Sequence, residues 1–279
     1  MTARPWLRLA LPLVTLALPA AAQDASAPDG YARMDALLRA VVRPGGVDYR
    51  ALRHRITELR AAHAWFGEHG PGVTPGLFPT RASREAYWLN AYNLTVLRAV
   101  AEAPASMRNV LTHLPDAGFF RARAWRLDGR ALTLDAVEHR EIRAAFHDAR
   151  VHFALNCGAR GCPALRARIY TPEDLDAQLD AQTRRHLNAP GSVRVDVAAR
   201  RLTLSQLFAW FADDFAAPIP GRARRELAGA PGFVLAFADP PLRAAITAAC
   251  ATDAGACSIA YVPYDWTLND EDAGHSAQD

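Results

Sequence analysis

Residues 83–101, SREAYWLNAYNLTVLRAVA, are the stretch that decides the fold of this chain. Apolar residues recur through it at helical spacing, and no charged residue occurs between Glu85 and Arg98. Ser83 is a suitable N-cap, and Pro104 follows shortly after the last periodic residue. The pattern therefore predicts one long helix over 83–101. It is the longest and most apolar helix in the sequence, and we expect it to be the central helix of the core.

The sequence on either side of this helix predicts further helices and short hairpins. Helical spacing occurs over 31–42, 49–66, 134–146, 172–187 and 240–249, hairpins are indicated over 125–132 and 193–204, and strands over 151–155 and 259–262. Thr171 is the expected cap of the helix over 172–187, and Asp128-Gly129 suits a type I′ turn. Helices mixed with scattered antiparallel hairpins indicate an α+β fold, a mainly helical single domain with a small sheet.

The first residues have the features of a secretory signal peptide. Arg4 and Arg8 precede an apolar stretch over 7–18, and small residues follow up to Ala22. We expect a signal peptide over 1–22, a polar linker over 23–30, one globular domain over 31–268 and a disordered tail over 269–279. The apolar stretch is shorter than the roughly 20 residues of a membrane span. The mature protein is thus expected to be periplasmic or secreted and not inserted in a membrane.

Composition excludes several classes of function. The formal net charge of +3 includes Arg4 and Arg8, so the mature chain is near neutral and has no basic field for nucleic acid. All 32 basic residues are arginine. The absence of lysine from the sequence excludes Schiff-base lysines, Ser-Lys catalysis and the lysine of a P-loop. The sequence therefore assigns no nucleic-acid partner and no cofactor.

Residues 151–163, VHFALNCGARGCP, are the stretch richest in reactive side chains. If 151–155 is a strand, His152 points from a rigid element toward the loop between Cys157 and Cys162. Cys162 directly precedes Pro163, which predicts that it lies near a helix N-cap, where the helix dipole stabilises a thiolate. Arg160 would add to that effect, and the glycines of the loop could aim backbone amides at an anionic oxygen.

Three interpretations of these cysteines stay open. Cys157 and Cys162 could form a structural disulfide, which an oxidising compartment favours. One of them could be a nucleophile with His152 or His139 as its base. A metal site is the third interpretation, but His-x4-Cys-x4-Cys is not a standard zinc spacing, so no metal is assigned. For Cys250 and Cys257, a local disulfide is the favoured prediction.

Other polar residues are candidates for binding, each with a structural alternative. Asn90 and Asn93 lie three apart on the central helix and could form the polar wall of a pocket, or they could tie neighbouring loops to the helix. Glu138 and His139 could supply an acid, a base or a ligand, or could be a surface glutamate and a histidine at the edge of the core. Adjacent helical residues diverge by about 100 degrees, so we do not expect these two to pair directly.

Five segments, taken in order, resemble the family called domain of unknown function 547. They are 87–93 (YWLNAYN), 132–139 (LTLDAVEH), 151–163 (VHFALNCGARGCP), 204–215 (LSQLFAWFADDF) and 264–269 (YDWTLN). The resemblance covers about 83–269, with a core over about 83–215. It implies an exported setting in bacteria and no established reaction. Gly161 stands where the family often has serine, so no role is assigned to a hydroxyl there.

The leading hypothesis from the sequence is an exported thiol-dependent enzyme that acts on an acyl, amide or thiol substrate. Cys162 or Cys157 would be reactive and His152 would be the base, while a small-molecule or peptide-like substrate contacts the binding candidates, which are Asn90, Asn93, Glu138, His139 and Arg160. We expect the two asparagines, His152 and both cysteines to converge on one cleft. The alternative is a noncatalytic binding or scaffold domain of the cell envelope, in which both cysteine pairs are structural disulfides.

Overall fold

The computed structural model describes residues 29–222, 227–250 and 257–271. In these residues helices predominate and the strands form small sheets, so the protein is a mainly helical α+β domain, as the sequence predicts. The predicted signal peptide, most of the predicted linker and residues 272–279 lie outside the described residues. The first part of the predicted tail is ordered, since Asn269 is buried and its Oδ1 accepts a hydrogen bond from the Tyr49 hydroxyl at 2.7 Å.

Helices account for most of the chain. They are α1 Asp29–Val41, α2 Tyr49–His54, α3 Ile56–Glu68, α4 Arg81–Glu102, α5 Gly118–Arg121, α6 Leu134–Ala136, α7 Ala144–Phe146, α8 Val151–Ala154, α9 Leu175–Leu187, α10 Leu207–Trp210, α11 Ala212–Ala216, α12 Gly229–Phe237 and α13 Pro240–Cys250. A π-helical segment, Val137–Arg143, joins α6 to α7, and 3-10 turns lie at Pro75–Leu77 and Pro115–Ala117.

The strands are short and form separate sheets. They are β1 Val42–Arg43, β2 Gly46–Val47, β3 Ala124–Leu127, β4 Arg130–Thr133, β5 Arg194–Asp196, β6 Arg201–Ser205 and β7 Ser258–Val262. The hairpins β3–β4 and β5–β6 are antiparallel, as predicted. At the β3–β4 turn, Asp128 and Gly129 have φ of 49° and 70°, which a type I′ turn requires. Strand β7 adds to β6 in parallel, a pairing that the sequence pattern does not specify.

The long helix α4 is central, as its composition predicts. Every residue from Ala86 to Leu97 is buried, so all faces of this part of the helix contact other elements. Its N-cap is Thr80 and not the predicted Ser83. The Thr80 side chain accepts a hydrogen bond from the Ser83 N–H, and the Ser83 hydroxyl accepts one from the Thr80 N–H, both at 3.0 Å. This reciprocal capping box explains why Ser83 looks like a cap in the sequence.

Two hydrophobic clusters form the interior. The large core surrounds α4 and includes Tyr87, Leu94 and Val96, together with side chains from α1, α3 and the β3–β4 hairpin. The small core is rich in phenylalanine and includes Phe153, Phe208, Phe215, Phe233 and Phe237. Helix α8 lies between them, since Val151 belongs to the large core and Phe153 to the small core. The region where the two cores meet is where the candidate site lies.

The predicted strand over 151–155 is wrong, because Val151–Ala154 is a helical turn, α8. Asp148 initiates the turn: its Oδ1 accepts a hydrogen bond from the Arg150 N–H at 2.9 Å, and its carbonyl accepts one from the Val151 N–H at 3.1 Å. A short apolar run does not distinguish a buried strand from a buried helix, and here the backbone hydrogen bonds are local. His152 therefore does not alternate faces with its neighbours as a strand residue would.

Two other local predictions are also corrected. No helix begins at Pro163, so Cys162 is not at a helix N-cap and no helix dipole acts on its sulfur. The next helix is α9, whose N-cap position is Asp174 rather than the predicted Thr171. Instead, the Thr171 hydroxyl accepts a hydrogen bond from the Gln178 side chain at 3.2 Å.

The loop over 157–162, called the disulfide loop below, is held by the C-terminal segment 264–269. Backbone N–H groups of Arg160 and Gly161 donate to the carbonyls of Thr267 and Asp265, each at 2.8 Å. Gly158 has φ of 84°, which favours glycine. Added at Gly161, a Cβ would lie 3.0 Å from the backbone nitrogen of Asp265 and from the Tyr264 ring, so glycine permits the close approach. The loop is therefore fixed beside residues that are distant in the sequence.

Candidate functional site

A concave pocket of about 290 Å³ lies where the two cores meet. Its walls are largely aromatic and consist of Tyr92, Phe120, Trp210, Phe211, Tyr264 and Trp266. Polar groups in the lining include Asp135, Glu138, His139 and His152, and both cysteines of the disulfide loop are also present. Apolar pockets with a few convergent polar groups are typical ligand sites. This cavity, called the aromatic pocket below, is the candidate functional site.

A disulfide forms part of the pocket wall. Cys157 and Cys162 are bonded, with an S–S distance of 2.01 Å. Cys250 and Cys257 form the second disulfide, as predicted, and no cysteine of the chain is free. The two pocket cysteines differ in access: Cys162 is only 9% exposed, whereas Cys157 is partly buried. Taken as whole residues, Cys157 is thus the more exposed of the two cysteines that line the pocket.

Two hydrogen-bond donors contact the sulfur of Cys162, the less exposed cysteine. The backbone N–H of Cys157 donates to Cys162 Sγ at 3.0 Å, and the Tyr264 hydroxyl donates to the same atom at 3.2 Å. The Tyr264 hydroxyl also lies 3.4 Å from Cys157 Sγ. Burial, assisted by the charge of Glu138, raises the pKa of Tyr264 above its usual range, so the phenol keeps its proton and stays a donor. Cys162 thus has two donors at its sulfur.

His152 belongs to an ion-pair network beside the pocket. Its Nε2 lies 2.7 Å from Asp214 Oδ2, and its ring stacks on Phe211 with the ring centroids 4.1 Å apart. Arg143 donates to both oxygens of Asp214, at 2.6 and 3.1 Å. Burial alone would raise the pKa of Asp214, but the hydrogen bonds from His152 and Arg143 hold it well below its usual range. The imidazole is thereby fixed in position by a carboxylate that stays ionised.

Glu138 and His139 reach the pocket from the π-helical segment. The Tyr92 hydroxyl donates to Glu138 Oε2 at 3.1 Å. Arg143 donates to His139 Nδ1 at 2.9 Å, so this nitrogen acts as the acceptor. The wider π turn lets both neighbours line the same cavity, and such turns are frequent at functional sites. Between Glu138 and His139 themselves the structure shows no direct contact in its described part.

Asn90 and Asn93 do not line the aromatic pocket and instead bind main chain on both of their amide atoms. Asn90 donates to the Tyr170 carbonyl at 2.8 Å and accepts from its N–H at 2.9 Å. Asn93 bonds in the same way to the Ala154 carbonyl at 3.0 Å and the Asn156 N–H at 2.9 Å. Asn93 therefore fixes the chain just before the disulfide loop. His152, Cys157 and Cys162 do share the pocket, whereas Arg160 is exposed and outside its lining.

Several pocket residues were not singled out from the sequence for chemistry. Tyr92, Trp210, Phe211 and Tyr264 form walls or donate hydrogen bonds, and Asp214 orients His152. All of them occur in the motif segments quoted above, so a signal was present. An aromatic residue in a motif is more often a packing residue than a ligand contact, and only the three-dimensional arrangement distinguishes the two.

Residues 78–187 match the model of a family described as "Protein of unknown function, DUF547". No curated protein and no solved structure matches the chain significantly. The matched segment contributes Tyr92, Glu138, His152 and both cysteines to the pocket, while Trp210 and Tyr264 come from beyond it. Among the described residues, no helix is long and apolar enough to cross a membrane. The part of the chain that the structure describes also has no group of side chains that could hold a metal ion.

Proposed function

Since this chain is a member of DUF547, a family whose description assigns no reaction, we propose a function from the pocket itself: thiol–disulfide exchange between the Cys157–Cys162 disulfide and a thiol bound in the aromatic pocket. This is the redox form of the thiol hypothesis that the sequence raises. Its support lies in the position of the disulfide and in the unequal surroundings of its two sulfurs. The substrate is a small molecule or a peptide cysteine that enters the pocket.

The observation that carries the proposal is the convergence of donors on Cys162 Sγ. Exchange begins when a substrate thiolate, whose proton has passed to solvent, attacks Cys157, the more exposed cysteine. A new S–S bond joins the substrate to Cys157, the Cys157–Cys162 bond breaks, and its electron pair stays on Cys162 Sγ. The N–H of Cys157 and the Tyr264 hydroxyl, at 3.0 and 3.2 Å, are placed to stabilise that thiolate.

A second step completes the transfer of two electrons. Another substrate thiolate attacks the substrate sulfur of the mixed disulfide, which releases the oxidised substrate disulfide and leaves Cys157 as a thiolate that takes a proton from solvent. The protein pair is then reduced, and an external disulfide must reoxidise it before the next turnover. The relative reduction potentials of the substrate and the protein pair set the direction.

The other two functions raised by the sequence have less support in the geometry. A hydrolase or acyl transferase needs a free thiolate, but both pocket cysteines are consumed in the disulfide, and His152 Nε2 is bonded to Asp214. A noncatalytic binding or scaffold domain needs only the pocket and two structural disulfides. This alternative function gives no chemical role to the two donors at Cys162 Sγ, the Cys157 N–H and the Tyr264 hydroxyl. The experiments below separate this alternative from exchange.

The first test measures which disulfide opens in the folded protein. The protein is equilibrated with 2-mercaptoethanol and its disulfide at graded ratios, alkylated, and mapped by mass spectrometry. We expect Cys157–Cys162 to open at a less reducing ratio than Cys250–Cys257. If neither pair opens until the protein unfolds, the pocket disulfide is a structural element and the binding or scaffold function replaces exchange.

A matched pair of variants tests the order of attack. Cys162→Ser leaves Cys157 as a free thiol, and Cys157→Ser leaves Cys162. With 2-hydroxyethyl disulfide, and with each rate expressed per thiolate present, the first variant should form a mixed disulfide faster, because Cys157 is more exposed. Faster reaction of Cys162 in the Cys157→Ser variant would contradict the assignment of Cys157 as the attacked sulfur.

We also propose that the protein acts outside the cytoplasm, in the periplasm or after secretion. Two disulfides and the signal-like first 22 residues support this location. N-terminal sequencing of the protein from its native cell should give a chain that starts near Gln23. A cytoplasmic protein that retains Met1 would contradict the proposal.

A further inference from the structure

We infer that the substrate thiol carries an organic cation, such as an ammonium group, which binds between Glu138 and the aromatic rings of the pocket. This inference rests on the proposed exchange for the thiol, but its charge argument rests on the pocket alone. The substrate is then a small aminothiol.

The charges around the pocket leave one carboxylate without a counter-ion. Arg121 pairs with Asp135 at 3.0 Å, and Arg143 pairs with Asp214 at 2.6 Å. Glu138, which lines the cavity, has the Tyr92 hydroxyl as a partner but no ion pair within the described residues. A carboxylate that faces an apolar cavity without a counter-ion favours a positively charged ligand.

Three aromatic rings of the pocket form a cluster. Trp210 and Trp266 lie with their ring centroids 5.8 Å apart, and the Tyr264 ring lies 5.0 Å from Trp210 and 4.7 Å from Trp266. Trp210 is 43% exposed, so one edge of the cluster is open to solvent. Aromatic faces attract organic cations.

Arginines of the protein itself do not occupy these faces. Arg143 lies over the Phe211 ring at 4.5 Å, and the other arginine–aromatic contacts of the described residues involve rings outside this cluster. In the part of the chain that the structure describes, Trp210, Tyr264 and Trp266 therefore have no arginine partner. No arginine within the described residues therefore competes with a ligand cation for these rings.

The charge of Glu138 also bears on the proposed exchange. Glu138 is close enough to Tyr264 for its charge to raise the pKa of that hydroxyl, in addition to the larger effect of burial. Its negative charge also opposes the thiolate that forms on Cys162, because that sulfur lies 3.2 Å from the same hydroxyl. A cationic substrate neutralises Glu138 at the moment when the new negative charge appears.

The experiment compares three small thiols of similar size and different charge. Cysteamine is cationic, 2-mercaptoethanol is neutral and mercaptoacetate is anionic. The rate at which each opens Cys157–Cys162 is measured by alkylation and mass spectrometry and expressed per thiolate present. We expect cysteamine to be about tenfold faster than mercaptoacetate, with a difference that shrinks as salt is added.

A matched pair of variants identifies the charge responsible. Glu138→Gln should remove most of the preference for cysteamine. Glu141→Gln is the control, because Glu141 lies on the same π-helical segment but pairs with Arg130 outside the aromatic pocket. If Glu141→Gln removes the preference as well, the effect comes from the general field of the protein and the inference is wrong.

A binding measurement without thiols keeps the inference separate from the proposed function. Choline and 3,3-dimethylbutan-1-ol have the same shape and differ in charge. We expect choline, and not the alcohol, to change the fluorescence of Trp210 and Trp266, and Trp210→Phe should reduce the signal. Equal rates for the three thiols with no choline binding overturn the inference and leave exchange intact. No opening by any thiol overturns the exchange, and choline binding then supports the cation site alone.

Discussion

The two disulfides of this protein have similarly short cysteine separations and different surroundings. Cys157–Cys162 spans five positions and Cys250–Cys257 spans seven, so both close short loops. The first lines the aromatic pocket, where Cys157 is partly exposed. The second belongs to the small core, where Cys250 and Cys257 are 5% and 9% exposed.

The two disulfides therefore differ in access and in hydrogen-bond donors much more than in the spacing of their cysteines, and the proposed exchange rests on that difference. Cys162 Sγ accepts hydrogen bonds from Cys157 N–H and the Tyr264 hydroxyl. Within the described residues, which omit 251–256, neither sulfur of the second pair accepts one. Under the proposed exchange, these donors would stabilise the leaving thiolate at the first site, and the partly exposed Cys157 would be open to attack by a substrate thiolate. The predictions below test this contrast, from the largest effect to the smallest.

The largest expected effect is on the rate of opening by a thiol in the folded protein. Cys157–Cys162 should open about 100-fold faster than Cys250–Cys257, because attack requires access to a sulfur. Timed alkylation and peptide mapping measure both rates in one sample. The ratio should fall to near one in concentrated urea, which is the control. A ratio near one in the folded protein would contradict the claim that the pocket disulfide is the more reactive of the two.

Removal of each cysteine pair in turn should show which disulfide is needed for thiol exchange and how much each contributes to the free energy of unfolding. Cys250→Ala with Cys257→Ala should lower the free energy of unfolding by about 2 to 3 kcal/mol, since the cross-link of a short loop is lost. Opening of the pocket disulfide by thiols should be unchanged. The matched variant, Cys157→Ala with Cys162→Ala, should lose a similar amount of stability in urea unfolding and all of the exchange. Loss of exchange in the first variant would show that the two sites are not independent.

Tyr264→Phe should slow the opening of the pocket disulfide by about fivefold, because one hydrogen bond to the departing thiolate, worth about 1 kcal/mol, is removed. The ring and its packing against Trp266 are kept. Tyr261→Phe is the control, since Tyr261 is 42% exposed on β7 and lies outside the pocket lining. An equal rate in wild type and Tyr264→Phe would mean that the hydroxyl does not stabilise the leaving thiolate.

Acid should loosen the small core. Burial lowers the pKa of His186, whose ring packs against Phe153, from 6.5 to about 4. Between pH 6.5 and 4, His186 therefore binds protons more readily in the unfolded state than in the native state. Its contribution to the free energy of unfolding is complete above pH 6.5 and decreases as the pH falls toward 4. With tris(2-carboxyethyl)phosphine as reductant, Cys250–Cys257 should open severalfold faster at pH 5 than at pH 7, and the pocket disulfide should change less.

His186→Gln tests this cause, because the amide does not titrate. The acceleration at pH 5 should be lost in the variant. If both disulfides accelerate equally in wild type, the protein loosens as a whole, and the small core has no separate response to acid.

Several features followed from the sequence because they depend on local interactions. The run of uncharged residues over 86–97 made α4 the central helix, and the Asp128-Gly129 pair set the β3–β4 turn. The short separation of Cys250 and Cys257 predicted their pairing. Cys157 and Cys162 were left between disulfide, nucleophile and metal ligand, because their spacing suits more than one chemistry. In the structure the two cysteines form a disulfide, the first of these three interpretations.

The tertiary structure alone decided what surrounds each group. His152 meets Asp214, 62 positions away, and Tyr264 reaches Cys162 across 102 positions, distances over which no periodicity in a sequence carries information. The apolar run over 151–155 is compatible with a strand or a helix by itself, and it forms the helical turn α8 where it is buried between the two cores. Asn90 and Asn93 became main-chain anchors because unpaired peptide groups of two loops pack against α4. The amino-acid sequence determined which groups are reactive, while folding determined which of them meet in a pocket, since that depends on contacts between segments that only packing brings together.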